Sequence, residues 1–246
     1  MKIIGVIPAR YQSSRFEGKP LADICGKPMI WWVYQQVKKV KELSEVYVAT
    51  DDDRIKAECE KYDIKVLMTS QNHPDHISRV QEVSDLVKSD IYLCINGDEP
   101  LIDDKAISKV IKKALTVQNL FFVGAFRYLT DPAETFDGAN IKLVTNKDNR
   151  AVYISRTPIP FPKGTLMFQY KKYVGIECFA KSALDFFVNT PKGELENIED
   201  IDHLRFLENG KSLIFEKIDS ESISVDTKKD LEKVIKIIKT RNNNEY

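Results

Sequence analysis

Through the first hundred residues the chain alternates short, fully apolar runs with longer stretches that are apolar on one side only. Residues 3–7 are continuously apolar and rich in β-branched side chains, and Pro8 ends the run. A run with no polar alternation predicts a strand covered on both faces, as in a parallel sheet. Over residues 28–40, Met29, Trp32, Val33, Gln36 and Val37 fall near one face of a helix whose first turn holds Pro28. Strands are then predicted at 45–50, 65–68 and 91–95, with helices at 54–62 and 76–88 between them. This rhythm predicts a doubly wound α/β sheet with right-handed crossovers. Ligands of such sheets lie beyond the carboxyl ends of the strands. Two polar loops occupy such ends, one after residues 3–7 and one, Asn96-Gly97-Asp98, after residues 91–95.

Beyond Asp103 the spacing becomes irregular. Strands are predicted at 121–126, 141–145, 151–155, 174–179 and 213–216, and helices at 182–189 and 199–208. A last helix, 228–240, carries Leu231, Val234, Ile235 and Ile238 on one face. With no repeat and no low-complexity linker, residues 1–246 read as a single domain. Within it, about 1–120 form the parallel half, about 121–225 a smaller mixed lobe, and 228–240 the terminal helix.

Composition narrows the function classes. Lys+Arg and Asp+Glu both number 37, so the net charge is zero, which argues against a nucleic-acid partner held by a global positive field. No apolar run approaches the roughly 18 residues that span a bilayer, and the N-terminus has no signal-peptide pattern. The cysteines, Cys25, Cys59, Cys94 and Cys178, are scattered without a CxxC pair. They read as free thiols of a reducing compartment, so a cytoplasmic protein away from membranes is expected.

The loop PARYQSSRFEGKPL holds Arg10, Arg15 and Lys19 within one short span. Three cations so close repel one another unless they share an anion, and a triphosphate is a natural one. A solvated basic loop is the alternative. The loop has neither the GxxxxGK[ST] nor the GxGxxG pattern, which argues against a nicotinamide-dependent oxidoreductase. Asp51, Asp52 and Asp53 read as a strand end followed by a helix cap and first-turn acids. Trp31 and Trp32 read as core or interface residues. His73, His76 and His203 read as separate structural histidines.

The opening PARYxSSRFxGKPL, followed by GKPM, resembles the signature of the Kdo cytidylyltransferase family (CMP-Kdo synthetases). The likeness continues through VATDDDRI, VLMTS, NGDEPLI, NIKLV, YISRTPIPF, VGI, LRFLENGK and VDTKKDLEKV, in the same order over nearly the whole chain. It implies a Rossmann-like α/β fold, CTP and Mg²⁺ as partners, a small anionic acceptor, and a homodimer. By the same resemblance Pro8, Ala9, Arg10, Arg15, Lys19 and Arg79 are nucleotide-binding, and Asp98 and Asp226 are metal ligands. Arg15, Lys19 and Asp98 form the catalytic set, and Lys142 and Arg156 lie near phosphate and acceptor. The chemistry is attack of an acceptor oxygen on the α-phosphorus of CTP with loss of pyrophosphate. It needs positioning and charge neutralisation more than covalent help, and Mg²⁺ takes one or two carboxylates with phosphate and water oxygens. Without the resemblance, either aspartate reads as a turn or cap residue.

The departures from the family pattern cluster on the acceptor side. The usual Ser-Gly-Thr-Glu-Arg stretch is Asp75-His76-Ile77-Ser78-Arg79 here, the usual glutamine before GDEP is Asn96, and Tyr173 and Glu177 replace a histidine and a tyrosine. A Glu-Gln pair becomes Asp202-His203. A pocket that hydrogen-bonds particular hydroxyls rejects analogues lacking them, so Asn96, Tyr173, Glu177, Asp202 and His203 point to a changed acceptor. A carboxylate at 177, facing the pocket, suits an ammonium-bearing acceptor. The expectation is an acceptor other than Kdo, with L-glutamine phosphate as the candidate, as in the CTP:phosphoglutamine cytidylyltransferase branch of capsule phosphoramidate synthesis. CMP-Kdo synthesis with tolerated drift is the alternative. A nucleotide-binding protein without catalysis is a third reading, against which the presence of Arg15, Lys19, Asp98 and Asp226 counts.

Overall fold

The computed structural model describes residues 1–12, 16–165, 167–220 and 222–243, with the side chains of 242 and 243 left aside. The chain forms two compact units, residues 1–108 with 220–246, and residues 109–219.

The first unit opens with β1 (Ile3–Ala9), followed by a small hairpin of β2 (Asp23–Ile24) and β3 (Lys27–Pro28), and by helix α1 (Met29–Lys38). Next come β4 (Glu45–Thr50), α2 (Asp53–Lys61), β5 (Val66–Met68), α3 (His76–Leu86) and β6 (Ile91–Ile95). β1 pairs in parallel with β4 on one side and β6 on the other, and β4 pairs in parallel with β5. Ile3, Ile4, Val6 and Ile7 are all buried, which is why this run carries no alternation. Pro28 precedes α1 with extended backbone instead of entering its first turn. Asp52 caps α2 by accepting from Arg54 N at 2.9 Å, and Asp75 caps α3 by accepting from Ser78 N at 2.7 Å.

Helix α4 (Asp104–Thr116) fills a stretch for which the sequence pattern predicts no element. Its buried side is Ala106, Ile107, Val110, Ile111 and Ala114, at helical spacing. Lys105, Lys109, Lys112 and Lys113 lie between these, so the amphipathic period is present in the sequence and the expectation simply lacked it.

The second unit is a mixed sheet with short helices, as expected for the second half. β7 (Phe122–Tyr128) and helix α5 (Pro132–Phe136) lead to β8 (Lys142–Thr145), β9 (Ala151–Ser155) and β10 (Lys171–Phe179). Helices α6 (Lys181–Asn189), α7 (Glu194–Glu199) and α8 (Leu204–Glu208) precede β11 (Ile214–Lys217). β7 pairs antiparallel with β10 and parallel with β11, while β8 runs antiparallel to both β10 and β9. Of the helix predicted at 199–208 only α8 forms; α7, for which the sequence pattern predicts no element, ends at Glu199, and Asp200 after it sits at φ 51°. The break is held from outside the helix. The Arg156 guanidinium donates to the carbonyls of Glu199 at 2.6 Å and Asp200 at 2.7 Å, taking acceptors that a continuous helix would use internally.

The last helix, α9 (Lys228–Asn243), belongs to the first unit. Val234 and Ile238 pack with Ile24, Met29, Leu101 and Val225 in one buried cluster. No helix among the described residues is long and apolar enough to cross a membrane.

All four cysteines are free; Cys25 is exposed in the β2–β3 turn and the other three are buried. Burial, with help from Glu58 and Glu60, pushes the Cys59 thiol up to about 12, and burial beside Glu177 also raises that of Cys178. Since the thiolate is the reactive form, a thiol reagent applied to the native protein is expected to titrate one group rapidly. Cys25→Ser is expected to remove that phase, and several fast thiols in the native protein would contradict the burial described.

Candidate nucleotide and metal site

The strand order β6-β1-β4-β5 reverses direction about β1, and a doubly wound sheet opens its ligand crevice at such a reversal, beyond the carboxyl ends. Pro8 and Ala9 close β1 there, and Asn96-Gly97-Asp98 follows β6. A Cβ on Gly97 would stand 2.8 Å from the Pro8 carbonyl oxygen, so the close approach of the two strand ends requires glycine. The loop after β1 is closed by Gly18 N donating to Tyr11 O at 2.8 Å. Gly18 takes φ 68° and starts the turn Lys19–Leu21. A non-glycine residue is strained in that left-handed conformation.

That turn delivers the Lys19 ammonium to two carboxylates far away in sequence, Asp98 at 2.6 Å and Asp226 at 3.5 Å. The backbone holds the pair together as well, since Val225 N donates to Asp98 O at 2.9 Å. Beside them Ser222 Oγ donates to the buried carboxylate of Glu99. The cap of α9 is made by Thr227, whose Oγ1 accepts from Asp230 N at 3.3 Å while Asp230 accepts from Thr227 N at 3.1 Å, so the helix does not need Asp226 for that purpose. The second oxygen of Asp98, Oδ1, is buried and has no hydrogen-bond partner among the described residues. Buried acceptors are rarely left unsatisfied in a native protein. Two carboxylates against one ammonium leave net negative charge, and all the donors are hard oxygens, so this set fits Mg²⁺.

A small pocket beside it is lined by Pro8, Ala9, Arg10, Asp75, His76 and Arg79. Arg10 is exposed at its edge, while Arg79 is only 3% exposed. The Arg79 guanidinium donates to Thr69 Oγ1 at 2.5 Å and to Asp51 Oδ2 at 2.8 Å. Arg10 also borders a second, more polar pocket with Tyr11, Gln12, Asp51, Asp52, Gln71 and His73. Arg54, forked onto Asp52, lies 3.2 Å from the centre of the Tyr11 ring. Arg15, expected to be both catalytic and nucleotide-binding, lies outside the described residues. Asn96 is half-buried and shares the turn after β6 with Asp98.

The other expected acceptor-side residues belong to the second unit. Lys142 is fully buried, and its ammonium donates to the Asp137 carbonyl at 3.0 Å. Burial lowers its pKa, and the neighbouring Arg156 charge acts in the same direction. Arg156 spends its guanidinium on the carbonyls of Gly138, Glu199 and Asp200. Tyr173, Glu177 and His203, expected as separate pocket residues, form one cluster. Glu177 has no exposed surface, and its carboxylate accepts from Tyr173 Oη and lies 2.5 Å from His203 Nε2. The His203 ring packs edge-on against Phe122. Asp202 is half-buried in the turn before α8. The Glu177 carboxylate, expected to meet an ammonium-bearing acceptor, is thus engaged by side chains of its own unit.

The sequence reading missed Asp51 and Thr69 as partners of Arg79. The signal was present, since both residues stand just past the carboxyl ends of predicted strands, where ligand-shaping groups gather.

The parallel order, the reversal at β1 and the paired carboxylates beyond β6 define a nucleotide-binding α/β protein. Residues 4–218 match the cytidylyltransferase family, and the chain belongs to it. It is 38% identical over 240 residues to the 8-amino-3,8-dideoxy-manno-octulosonate cytidylyltransferase of Shewanella baltica (strain OS195), covering 95% of this chain and 97% of that protein. It is 37% identical over 243 residues to the 3-deoxy-manno-octulosonate cytidylyltransferase of Fusobacterium nucleatum subsp. nucleatum, covering 98% and 99%. Among solved structures, a CMP:2-keto-3-deoxy-manno-octonic acid synthetase complexed with CTP superposes with a TM-score of 0.93 at 33% identity, covering 98% of this chain and 100% of that one. The chain is therefore a CTP-dependent nucleotidyltransferase with the Rossmann-like α/β fold expected of it.

Proposed function

We propose that the chain transfers CMP from CTP to an eight-carbon 3-deoxy-ulosonic acid, Kdo or its 8-amino analogue, with release of pyrophosphate. The observation that carries the reading is the Lys19, Asp98 and Asp226 cluster, with its orphaned Asp98 oxygen, at the crevice beyond β1 and β6. The acceptor class is supported by relatives named for Kdo and 8-amino-Kdo that align over nearly the whole chain. Engagement of Glu177 by Tyr173 and His203 removes the main argument for glutamine phosphate.

In the reaction, a hydroxyl oxygen of the acceptor bonds to the α-phosphorus as the bond from that phosphorus to the bridging oxygen of pyrophosphate breaks. The hydroxyl proton passes to solvent. Arg10 and Lys19 offset the charge of the phosphates and hold the chain of phosphorus atoms in place. Asp98 and Asp226 would hold Mg²⁺, which when bound supplies further charge neutralisation at the phosphate oxygens. Pro8, Ala9 and Arg79 form the wall against which the nucleoside rests.

The test is pyrophosphate release from CTP and Mg²⁺ with Kdo, 8-amino-Kdo or L-glutamine phosphate, and with ATP, GTP and UTP as nucleotide controls. Release with an octulosonate and CTP, abolished by EDTA, is the expected outcome. Release with glutamine phosphate alone would overturn the acceptor assignment, and release insensitive to EDTA would overturn the metal assignment.

A further inference from the structure

Arg79 is a buried cation in the wall of the nucleotide pocket, and its partners come from two other elements. Asp51 directly follows β4 and Thr69 directly follows β5. These ends are themselves tied together, because Thr69 donates to the Thr50 carbonyl through its backbone N at 2.8 Å and its Oγ1 at 3.1 Å. With its hydroxyl proton spent on Thr50, the Thr69 oxygen is left to accept from Arg79 at 2.5 Å. Asp51 supplies the compensating charge at 2.8 Å, with 16% of its side chain exposed.

We infer that Asp51 is a positioning residue for nucleotide recognition, acting through Arg79. The inference rests on the reading that the pocket of Pro8, Ala9, Arg10, Asp75, His76 and Arg79 receives the nucleoside of CTP. A guanidinium offers only N–H donors. Cytosine presents two adjacent acceptors, O2 and N3, whereas uracil presents a donor at N3. A donor group held rigidly in the wall therefore favours cytosine, and a mobile one discriminates less. Two of the five N–H groups are spent on Thr69 and Asp51, which fixes the plane of the guanidinium and leaves the remaining donors with defined directions. A buried charge without its counter-charge moves toward water or draws water in. Asp51 thus shapes the wall without itself having to touch the base. Asp52, one residue on, does different work, since its carboxylate caps α2 and forks onto the exposed Arg54.

The experiment is direct titration of CTP and UTP into the purified full chain by calorimetry, independent of any acceptor. Asp51→Asn is expected to weaken CTP binding about tenfold and UTP binding no more than about twofold, narrowing the preference for CTP. Asp51→Glu is expected to recover part of the loss, and Asp52→Asn is expected to bind both nucleotides as the parent does. Equal weakening for CTP and UTP in Asp51→Asn, or an effect of Asp52→Asn as large, would overturn the inference and make Asp51 a merely structural residue. A melting temperature for each variant keeps loss of fold apart from loss of recognition. Should the parent bind CTP but release no pyrophosphate with any octulosonate, the acceptor assignment fails while the titration still decides the role of Asp51.

Discussion

Asp98→Asn is expected to lower kcat about a thousandfold while the protein stays folded. The side chain has one oxygen on the Lys19 ammonium and the other buried without a partner among the described residues. An asparagine must turn its oxygen toward Lys19 to avoid setting an amide N–H₂ against the ammonium. The N–H₂ then occupies the place of the orphaned oxygen and repels a cation where a carboxylate would attract one. Loss of a metal-held charge near transferring phosphate is worth several kcal/mol of transition-state stabilisation, and each 1.36 kcal/mol is a factor of ten in rate. Stability should change by less than about 1 kcal/mol, because the Lys19 and Asp98 side chains are each about a fifth exposed and such pairs contribute little. The measurement pairs pyrophosphate release with thermal unfolding and with Mn²⁺ binding in the presence of CTP. A variant that turns over within tenfold of the parent would sink the assignment of Asp98, whatever its effect on metal binding.

The parallel half was legible because its central strands β1 and β6 are covered on both faces and so lack alternation. The predicted limits 45–50 and 91–95 coincide with β4 and β6. Of the two loops singled out as ligand-facing, the first brings Lys19 to Asp98 of the second, while Arg10 borders two pockets lined by other residues. The pairing of Asp98 with Asp226 was suggested by the family resemblance and is fixed by a long-range backbone bond, Val225 to Asp98. Spacing alone has no means of revealing it. Where the reading failed, the cause lies in contacts that sequence periodicity does not encode. Helix α4 is the exception, since its apolar positions do recur at helical spacing. The elbow at Asp200 depends on Arg156, more than forty residues earlier. Tyr173, Glu177 and His203 looked like three independent departures from a family pattern. They are one buried cluster, in which Tyr173 donates to Glu177 on the same strand β10 and His203, at the head of α8, sets its Nε2 2.5 Å from that carboxylate. Replacing one of them alone therefore leaves a buried polar group without its partner.

That elbow gives the largest expected stability effect. Arg205→Ala is expected to destabilise the protein by about 3–5 kcal/mol. The Arg205 guanidinium makes two bonds to Glu196, at 2.7 and 2.6 Å, and also donates to the carbonyls of Phe187 and Thr190. Its plane lies 3.7 Å from the centre of the Phe187 ring. Both side chains are buried, at 7% and 1% exposure, and Lys192 stands no closer than 3.6 Å to the same carboxylate. Alanine removes the cation, leaves Glu196 charged in an apolar setting with only that distant lysine, and strips two carbonyls of a donor. For a chain of this size the loss corresponds to a fall of about 6–20 °C in melting temperature, at about 2–4 °C per kcal/mol. The double variant Arg205→Met with Glu196→Met separates the worth of the pair from the cost of breaking it. Apolar replacement of both partners at similar volume is commonly near neutral or stabilising, so the double variant should melt well above Arg205→Ala. His203 lies two residues before Arg205, and the Glu199 and Asp200 carbonyls that Arg156 grips lie three and four residues after Glu196. Loosening the pair should therefore loosen the Glu177 cluster as well. A melting temperature for Arg205→Ala within 3 °C of the parent would mean that the pair is not holding the elbow.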